Sequence, residues 1–385
     1  MLKVKLSRDL RRDILRGHPW IYRQSIEGFS SPKQASLVQV LDRKGQPLAW
    51  GFYDPHSPLA LRILSLEKKP PNFKFFEQKF LAALYLRSAV TNDQTNSFRL
   101  FNGEGDFLPG LVCDIYHQVA VLQFDGLGPF EFWDQGQIVD WLLKNTRCKT
   151  VVIKSQSRED RAFASYGEEL THVEVEILEN GLRFLVNLEK GQKTGFFLDQ
   201  RENRLYLKSF CKKKRVLNLF SYTGGFSMYA GSGGATHVDS VDLSSPAIEF
   251  CERNWVLNSL PPQMHEGHAM DVFEFLEMAK DQWDVVIVDP PSMGSSEKNK
   301  DKAVNAYVDA FQKAARKVGP GGSLVLSSCS SHISFSDFFE IIDQSLSSAR
   351  RKGQILRVSG QGADHPFPHA CHELRYLKFV HLVLD

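Results

Sequence analysis

A chain of 385 residues is long enough to bury two or three separate cores, and 42% apolar with 24% charged residues is the make-up of a globular protein. A net charge of +2 excludes a molecule that binds nucleic acid through bulk charge, and no apolar run approaches the roughly 20 residues of a membrane-spanning helix. Six cysteines without a C-x-x-C pair and twelve histidines without H-E-x-x-H spacing point to neither a disulfide framework nor a metal site, so a reduced, metal-free protein is expected, and with no signal-like start a cytoplasmic one.

Residues 1–23 carry Lys3, Lys5, Arg8, Arg11, Arg12, Arg16 and Arg23 against Asp9 and Asp13, a cluster that can contact phosphates or simply face solvent. Alternating apolar and β-branched residues predict strands over 35–41 and 48–53, with Asp42-Arg-Lys-Gly45 as the turn. Pro55, Pro58, Pro70 and Pro71 punctuate a small β-rich domain, set at residues 1–70. Helical spacing follows at 75–86, then strands at 119–124 and 150–153. Two runs around Asn180-Gly181, 173–178 and 182–188, read as a hairpin, because Asn-Gly accepts the positive φ of a tight turn. These elements form a central α/β domain over 72–187. From 190 to 385 strands at 215–219, 237–241, 285–288, 323–326 and 378–384 alternate with helices at 246–257, 272–279, 303–318 and 336–347, which predicts an α/β domain with a largely parallel sheet. A second basic cluster, Lys208, Lys212, Lys213, Lys214 and Arg215, precedes the first of these strands.

Ligands on such sheets bind beyond the carboxyl ends of the strands, which makes the residues there the candidates for a site. Phe220-Ser221-Tyr222-Thr223-Gly224-Gly225 leaves the 215–219 strand and opens a helix, a glycine turn that lets backbone approach a ligand closely. It is not G-x-G-x-x-G, which disfavours a nicotinamide oxidoreductase. Asp242 ends the next strand, near the offset at which an acid accepts from both ribose hydroxyls. Ser244 and Ser245 offer capping oxygens there, which leaves the acid available. Asp271 is placed either to reach an adenine amino group or to cap the helix from Val272. Asp289-Pro290-Pro291 fixes a carboxylate at a strand tip, and Cys329 follows the strand at 323–326. A thiolate suits addition to C6 of a pyrimidine, with an acid such as Asp289 stabilising the developing charge; a buried core thiol is the alternative. In this order the motifs suit S-adenosylmethionine binding and methylation of a pyrimidine carbon.

Gly17-His-Pro-Trp-Ile-Tyr22, Leu108-Pro-Gly-Leu-Val-Cys-Asp114, Lys193-Thr-Gly-Phe-Phe-Leu-Asp-Gln-Arg201, the 220–226 turn and Ala363-Asp-His-Pro366 together resemble the bacterial 23S ribosomal RNA cytosine-C5 methyltransferases with an N-terminal PUA domain. The likeness covers nearly the whole chain. It implies a PUA β-barrel, a central α/β domain and a Rossmann-like class I methyltransferase domain that uses S-adenosylmethionine. It further implies that Asp199, Gln200 and Arg201 help line the cofactor site and that Cys329 is the nucleophile. The implied partner is large-subunit ribosomal RNA, and a second copy of the chain is a candidate partner for assembly. Asp364 and His365 are candidates for removal of the C5 proton. Ser292-Met293 stands where the family usually has Lys-Phe or a similar pair, and no second cysteine adjoins Asp289. Guanine-N2 methylation on the same fold, and RNA binding by a protein with a vestigial cofactor domain, are the competing readings.

Overall fold

The computed structural model describes residues 2–28, 32–154, 163–294 and 299–385. The chain divides into two compact units: Met1–Leu178 with Val186–Leu198 and Ala363–Leu374, and Glu179–Leu185 with Asp199–Gly362 and Arg375–Asp385. Among the described residues no helix is long and apolar enough to cross a membrane.

The first unit begins with β1 (Leu2–Lys5), α1 (Arg11–Leu15), β2 (Trp20–Ile21), β3 (Ser36–Leu41), β4 (Pro47–Tyr53) and β5 (Leu61–Ser65), in a sheet of order β1-β3-β4-β5-β2. The expected turn lies between β3 and β4: Asp42 Oδ1 accepts from Lys44 N and Gln46 N, each at 2.9 Å, and Gly45 has φ +80°. Alternate residues such as Val4, Val38, Val40, Tyr53 and Leu61 face one core. Part of the basic cluster is structural. Arg23 donates to Tyr53 Oη and to three backbone carbonyls, and Arg11 pairs with Asp42, whereas Lys3, Arg12 and Arg16 are exposed.

The same unit continues through α2 (Phe73–Arg87), β6 (Ser97–Asn102), β7 (Leu111–Tyr116), β8 (Val119–Phe124), α3 (Leu127–Phe132), α4 (Gln135–Asn145), β9 (Thr150–Lys154) and β10 (Phe163–Gly167), with sheet order β10-β9-β8-β7-β6. Phe80 of α2 and Trp141 of α4 meet Phe101 of β6 in an aromatic core. Asp364 and His365 belong here. Arg87 donates to Asp364 O at 2.8 Å, Arg99 N donates to Asp364 Oδ2 at 2.9 Å, and His365 Nδ1 lies 2.9 Å from Asp364 Oδ1. Their described partners therefore hold the 363–366 motif in place within this unit. The hairpin of β11 (Glu174–Glu179) and β12 (Leu182–Asn187) turns as expected on Asn180 and Gly181, with φ +50° and +78°.

The second unit carries α5 (Arg201–Lys208), β13 (Arg215–Leu219), α6 (Gly225–Ser232), β14 (His237–Asp242), α7 (Ser245–Leu257), β15 (His265–Ala269), α8 (Val272–Met278), β16 (Trp283–Val288), α9 (Lys300–Arg316), β17 (Val318–Ser328), α10 (Phe335–Ala349), β18 (Gly353–Ser359) and β19 (Lys378–Leu384). Its seven strands run β15-β14-β13-β16-β17-β19-β18, parallel from β15 to β17. One expectation is corrected. Val318 is not the last residue of a helix but pairs with Trp283 in the sheet. The last strand, β19, runs antiparallel to both neighbours, because a parallel return needs a helical crossover and none lies between β18 and β19.

Candidate active site

Sheet register assembles the site. Leu219 pairs with Val241 and Val288, and Val288 with Leu326, so these four residues form one row across the sheet. The next residue on each strand, Phe220, Asp242, Asp289 and Ser327, therefore starts its carboxyl edge. Strand order reverses between β13 and β16, the switch point at which connections part and leave a crevice. The second basic cluster stands at the other, amino end of β13, where Arg215 pairs with Asp281 and Lys214 with Asp284.

The turn after β13 is strained in a patterned way. Phe220, Tyr222 and Gly224 all have positive φ, at +58°, +46° and +79°, and two of them are bulky residues that rarely adopt it. Gly224 is required twice over, since a Cβ there would also lie 2.3 Å from Cys251 Sγ. The turn is held from both sides. Ser221 N donates to Val241 O, Tyr222 N donates to Asp242 Oδ2 at 2.9 Å, and Asn254 Nδ2 of α7 donates to Thr223 O at 2.9 Å. Within that frame Ser221 Oγ and Thr223 Oγ1 are buried without a hydrogen-bond partner. Buried hydroxyls are normally satisfied, so two orphans in one turn fit a polar ligand laid against it.

Asp242 also accepts from Ser244 N on Oδ1, so both carboxylate oxygens are oriented while each keeps a lone pair for a ribose hydroxyl. Ser244 supplies the α7 cap itself, accepting from Ala247 N. Asp271 does cap α8, accepting from Phe273 N and Glu274 N, and both bonds land on Oδ1.

A second group gathers around Asp289. Gln200 Nε2 donates to Asp289 Oδ1 at 3.0 Å and reaches Ser327 Oγ at 3.4 Å, while Asn203 Nδ2 donates to Gln200 Oε1. Asp199 accepts from the Tyr376 hydroxyl at 2.6 Å. Burial, and then the negative charge of Asp199, push Asp289 up to about 7. Arg201 is buried at the start of α5 and donates to Glu202, while Arg204 one turn on forms a fully buried pair with Glu179 at 2.7 Å. The structure thus brings Asp199 and Gln200 to Asp289, and the 220–225 turn to Asp242. Asp271 follows β15, where Met270 N donates to Asp242 O at 3.0 Å.

Cys329 follows β17. All six cysteines are described, and Cys329 alone is not buried. Burial pushes the thiols of Cys211, Cys251 and Cys371 up to about 12 and that of Cys148 to about 11, which makes them inert at neutral pH. The neighbours of Cys329 are fixed: Ser328 Oγ donates to the Tyr307 hydroxyl at 3.0 Å, and Ser330 N donates to Ser328 Oγ. Met293 packs against the core and Ser292 Oγ donates to Gly294 O, so neither replaces the family's aromatic residue as a stacking face. Sequence reasoning missed Tyr376 and Lys378. The second had a signal, a lysine inside the apolar run Leu377-Lys378-Phe379-Val380. Among the described residues His18, Cys371 and Glu373, and separately His237, Asp239 and Glu266, have the chemistry of metal ligands; neither grouping includes Cys329 or Asp289.

Residues 138–348 match the S-adenosylmethionine-dependent methyltransferase family, and residues 4–66 match a PUA-like domain. A ribosomal RNA large subunit methyltransferase of Deinococcus radiodurans is 36% identical over 403 residues, covering 100% of this chain and 98% of that one. A ribosomal RNA large subunit methyltransferase I of Photobacterium profundum is 34% identical over 389 residues, covering 97% of each. The fold matches a solved Streptococcus mutans protein assigned as a SAM-dependent methyltransferase, with TM-score 0.88, 24% identity and complete coverage of both chains. A methyltransferase-like protein complexed with SAH matches with TM-score 0.85, again at 24% identity over both whole chains. With the Rossmann-like sheet, its carboxyl-edge turn and its acids in place, the chain belongs to the S-adenosylmethionine-dependent methyltransferase family, carries a PUA-like domain over residues 4–66, and has ribosomal RNA large subunit methyltransferases among its relatives.

Proposed function

We propose that the chain methylates C5 of a cytosine in large-subunit ribosomal RNA through a covalent bond between Cys329 and C6 of the ring. The observation that carries this reading is that Cys329, unlike the other five cysteines, is not buried and stands at the strand end next to that of Asp289. C5 of cytosine is a weak nucleophile until a group adds to C6, and a thiolate is suited to that addition. Asp289, keeping its proton to about pH 7, donates to N3 and offsets the charge that develops as the S–C6 bond forms. When bound, S-adenosylmethionine supplies the methyl group. Phe220, Ser221, Tyr222, Thr223, Gly224 and Gly225 hold it, with Asp242 on its ribose, Asp271 toward its adenine, and Asp199, Gln200, Arg201 and Asp289 lining the site. A base then takes the C5 proton, the electrons of that bond re-form the C5–C6 double bond as the C6–S bond breaks, N3 returns its proton to Asp289, and the thiolate leaves as the ring regains its aromaticity.

The names of the curated relatives support ribosomal RNA as substrate. An N-terminal domain, set at residues 1–70, holds the RNA with the exposed Lys3, Arg12 and Arg16. Residues 72–187 form a central domain, and residues 190–385 act on a base turned out of its stack, since a stacked ring cannot be attacked from its face. The test is nucleoside mass spectrometry of unmodified ribosomal RNA incubated with labelled S-adenosylmethionine. Label in 5-methylcytidine with the wild type and none with Cys329→Ala is expected. Label in methylguanosine with both proteins would instead make this a guanine-N2 enzyme and Cys329 a bystander.

A further inference from the structure

Beneath the turn that carries Cys329 lies a buried cation with no acidic partner. Lys378, the first residue of β19, stands opposite Ser328 in antiparallel register and is 1% exposed. Its ammonium donates to Ser330 O at 2.5 Å, Tyr376 O at 2.7 Å and Ile333 O at 2.8 Å, all of them neutral carbonyls. Among the described residues it makes no ion pair. A buried ammonium held only by neutral groups is costly, and one that persists is best explained by an anion it serves.

We propose that Lys378 is a positioning residue for the nucleophile, bracing residues 330–333 and stabilising the thiolate of Cys329 by its charge. Burial lowers the pKa of Lys378 to about 8, and the charges that oppose this are first Cys329 and then Asp337. Three other ionisable groups near the turn, Tyr307, Asp289 and Asp337, do not do this work. Tyr307 of α9 is pushed up to about 12, chiefly by burial, and stays neutral. Asp289, after β16, opposes a thiolate whenever it is ionised. Asp337 of α10 is negative and pairs with Lys300 at 2.9 Å. Of these groups Lys378 is the one that favours an anionic sulfur.

The proposal rests on Cys329 being the nucleophile, and the two fail separately. Methyl transfer retained by Cys329→Ala would sink the nucleophile reading. The brace is tested on the full chain by alkylation with iodoacetamide across pH, with Cys329 followed by peptide mass spectrometry. In the wild type the midpoint is expected below the ordinary thiol value of about 8.5. Lys378→Met is expected to raise it by about one pH unit, slowing alkylation at pH 7 by about tenfold, while Lys378→Arg, which keeps the charge, holds it nearer the wild type. An unshifted midpoint in a Lys378→Met protein that still melts cooperatively would overturn the proposal. So would a wild-type midpoint at or above about 8.5, whether or not the variants fold.

Discussion

Asp289 shares one corner of the sheet with Asp199, and the physical consequence is a proton. Its value in the folded chain, about 7, lies above the ordinary 3.8, so the folded protein keeps a proton that the unfolded chain has lost. Stability from this group is full below about pH 4 and is lost as pH rises through about 7. Asp289→Asn removes that loss, and at about 1.4 kcal/mol per pH unit the gain has a ceiling of roughly 4 kcal/mol above pH 7. The variant is expected to melt several degrees higher than the wild type at pH 8 and almost level with it at pH 4. Its methyl transfer should fall about 100-fold or more, because an amide cannot give a proton to N3. Melting curves at the two pH values decide the matter, and an equal change at both would mean that Asp289 is an ordinary ionised acid. Asp289 and Cys329 are legible in the sequence because both close strongly apolar strands. The shift of Asp289 is not, since it depends on Asp199 and Gln200 arriving from the turn before α5.

The 220–225 turn illustrates what an element needs from its neighbours. The sequence marks residues 220–225 as a glycine turn, but its conformation depends on α7, where Asn254 donates to Thr223 O and accepts from Leu185 N at 2.8 Å. Asn254 is fully buried, so Asn254→Ala strands a carbonyl and an amide, each costing about 1–3 kcal/mol. Lower thermal stability and about tenfold weaker S-adenosylmethionine binding by calorimetry are expected. Unchanged affinity would show that the turn holds its shape without this anchor. The parallel strands were readable from alternation of apolar strand and amphipathic helix. The antiparallel β19 was not, because the lack of an α-helix across residues 360–377 leaves no local mark on the strand itself. Asp271 was readable only as a choice, and both its capping bonds now fall on one oxygen.

At the scale of the whole molecule, the two units divide the sequence unevenly. The 363–366 motif, which reads as part of the methyltransferase region, groups with the N-terminal unit, where Arg87 and Arg99 hold Asp364. Charge density was a poor guide at this scale. Arg11 and Arg23 of the N-terminal cluster are bound internally, and Lys214 and Arg215 pair with acids at the sheet end remote from Cys329. Chain-wide likeness to ribosomal RNA methyltransferases identifies the family, and the proposed bond to the base rests on Cys329. That bond can be trapped. RNA carrying 5-fluorocytidine in place of cytidine offers a ring whose C5 fluorine cannot leave as a proton does, so an adduct formed at C6 cannot resolve. With S-adenosylmethionine present, a denaturation-resistant protein–RNA species whose linkage maps to Cys329 is expected, and it should be absent from Cys329→Ala. Failure to trap any adduct on a substrate whose unfluorinated form is methylated would contradict a cysteine–C6 mechanism.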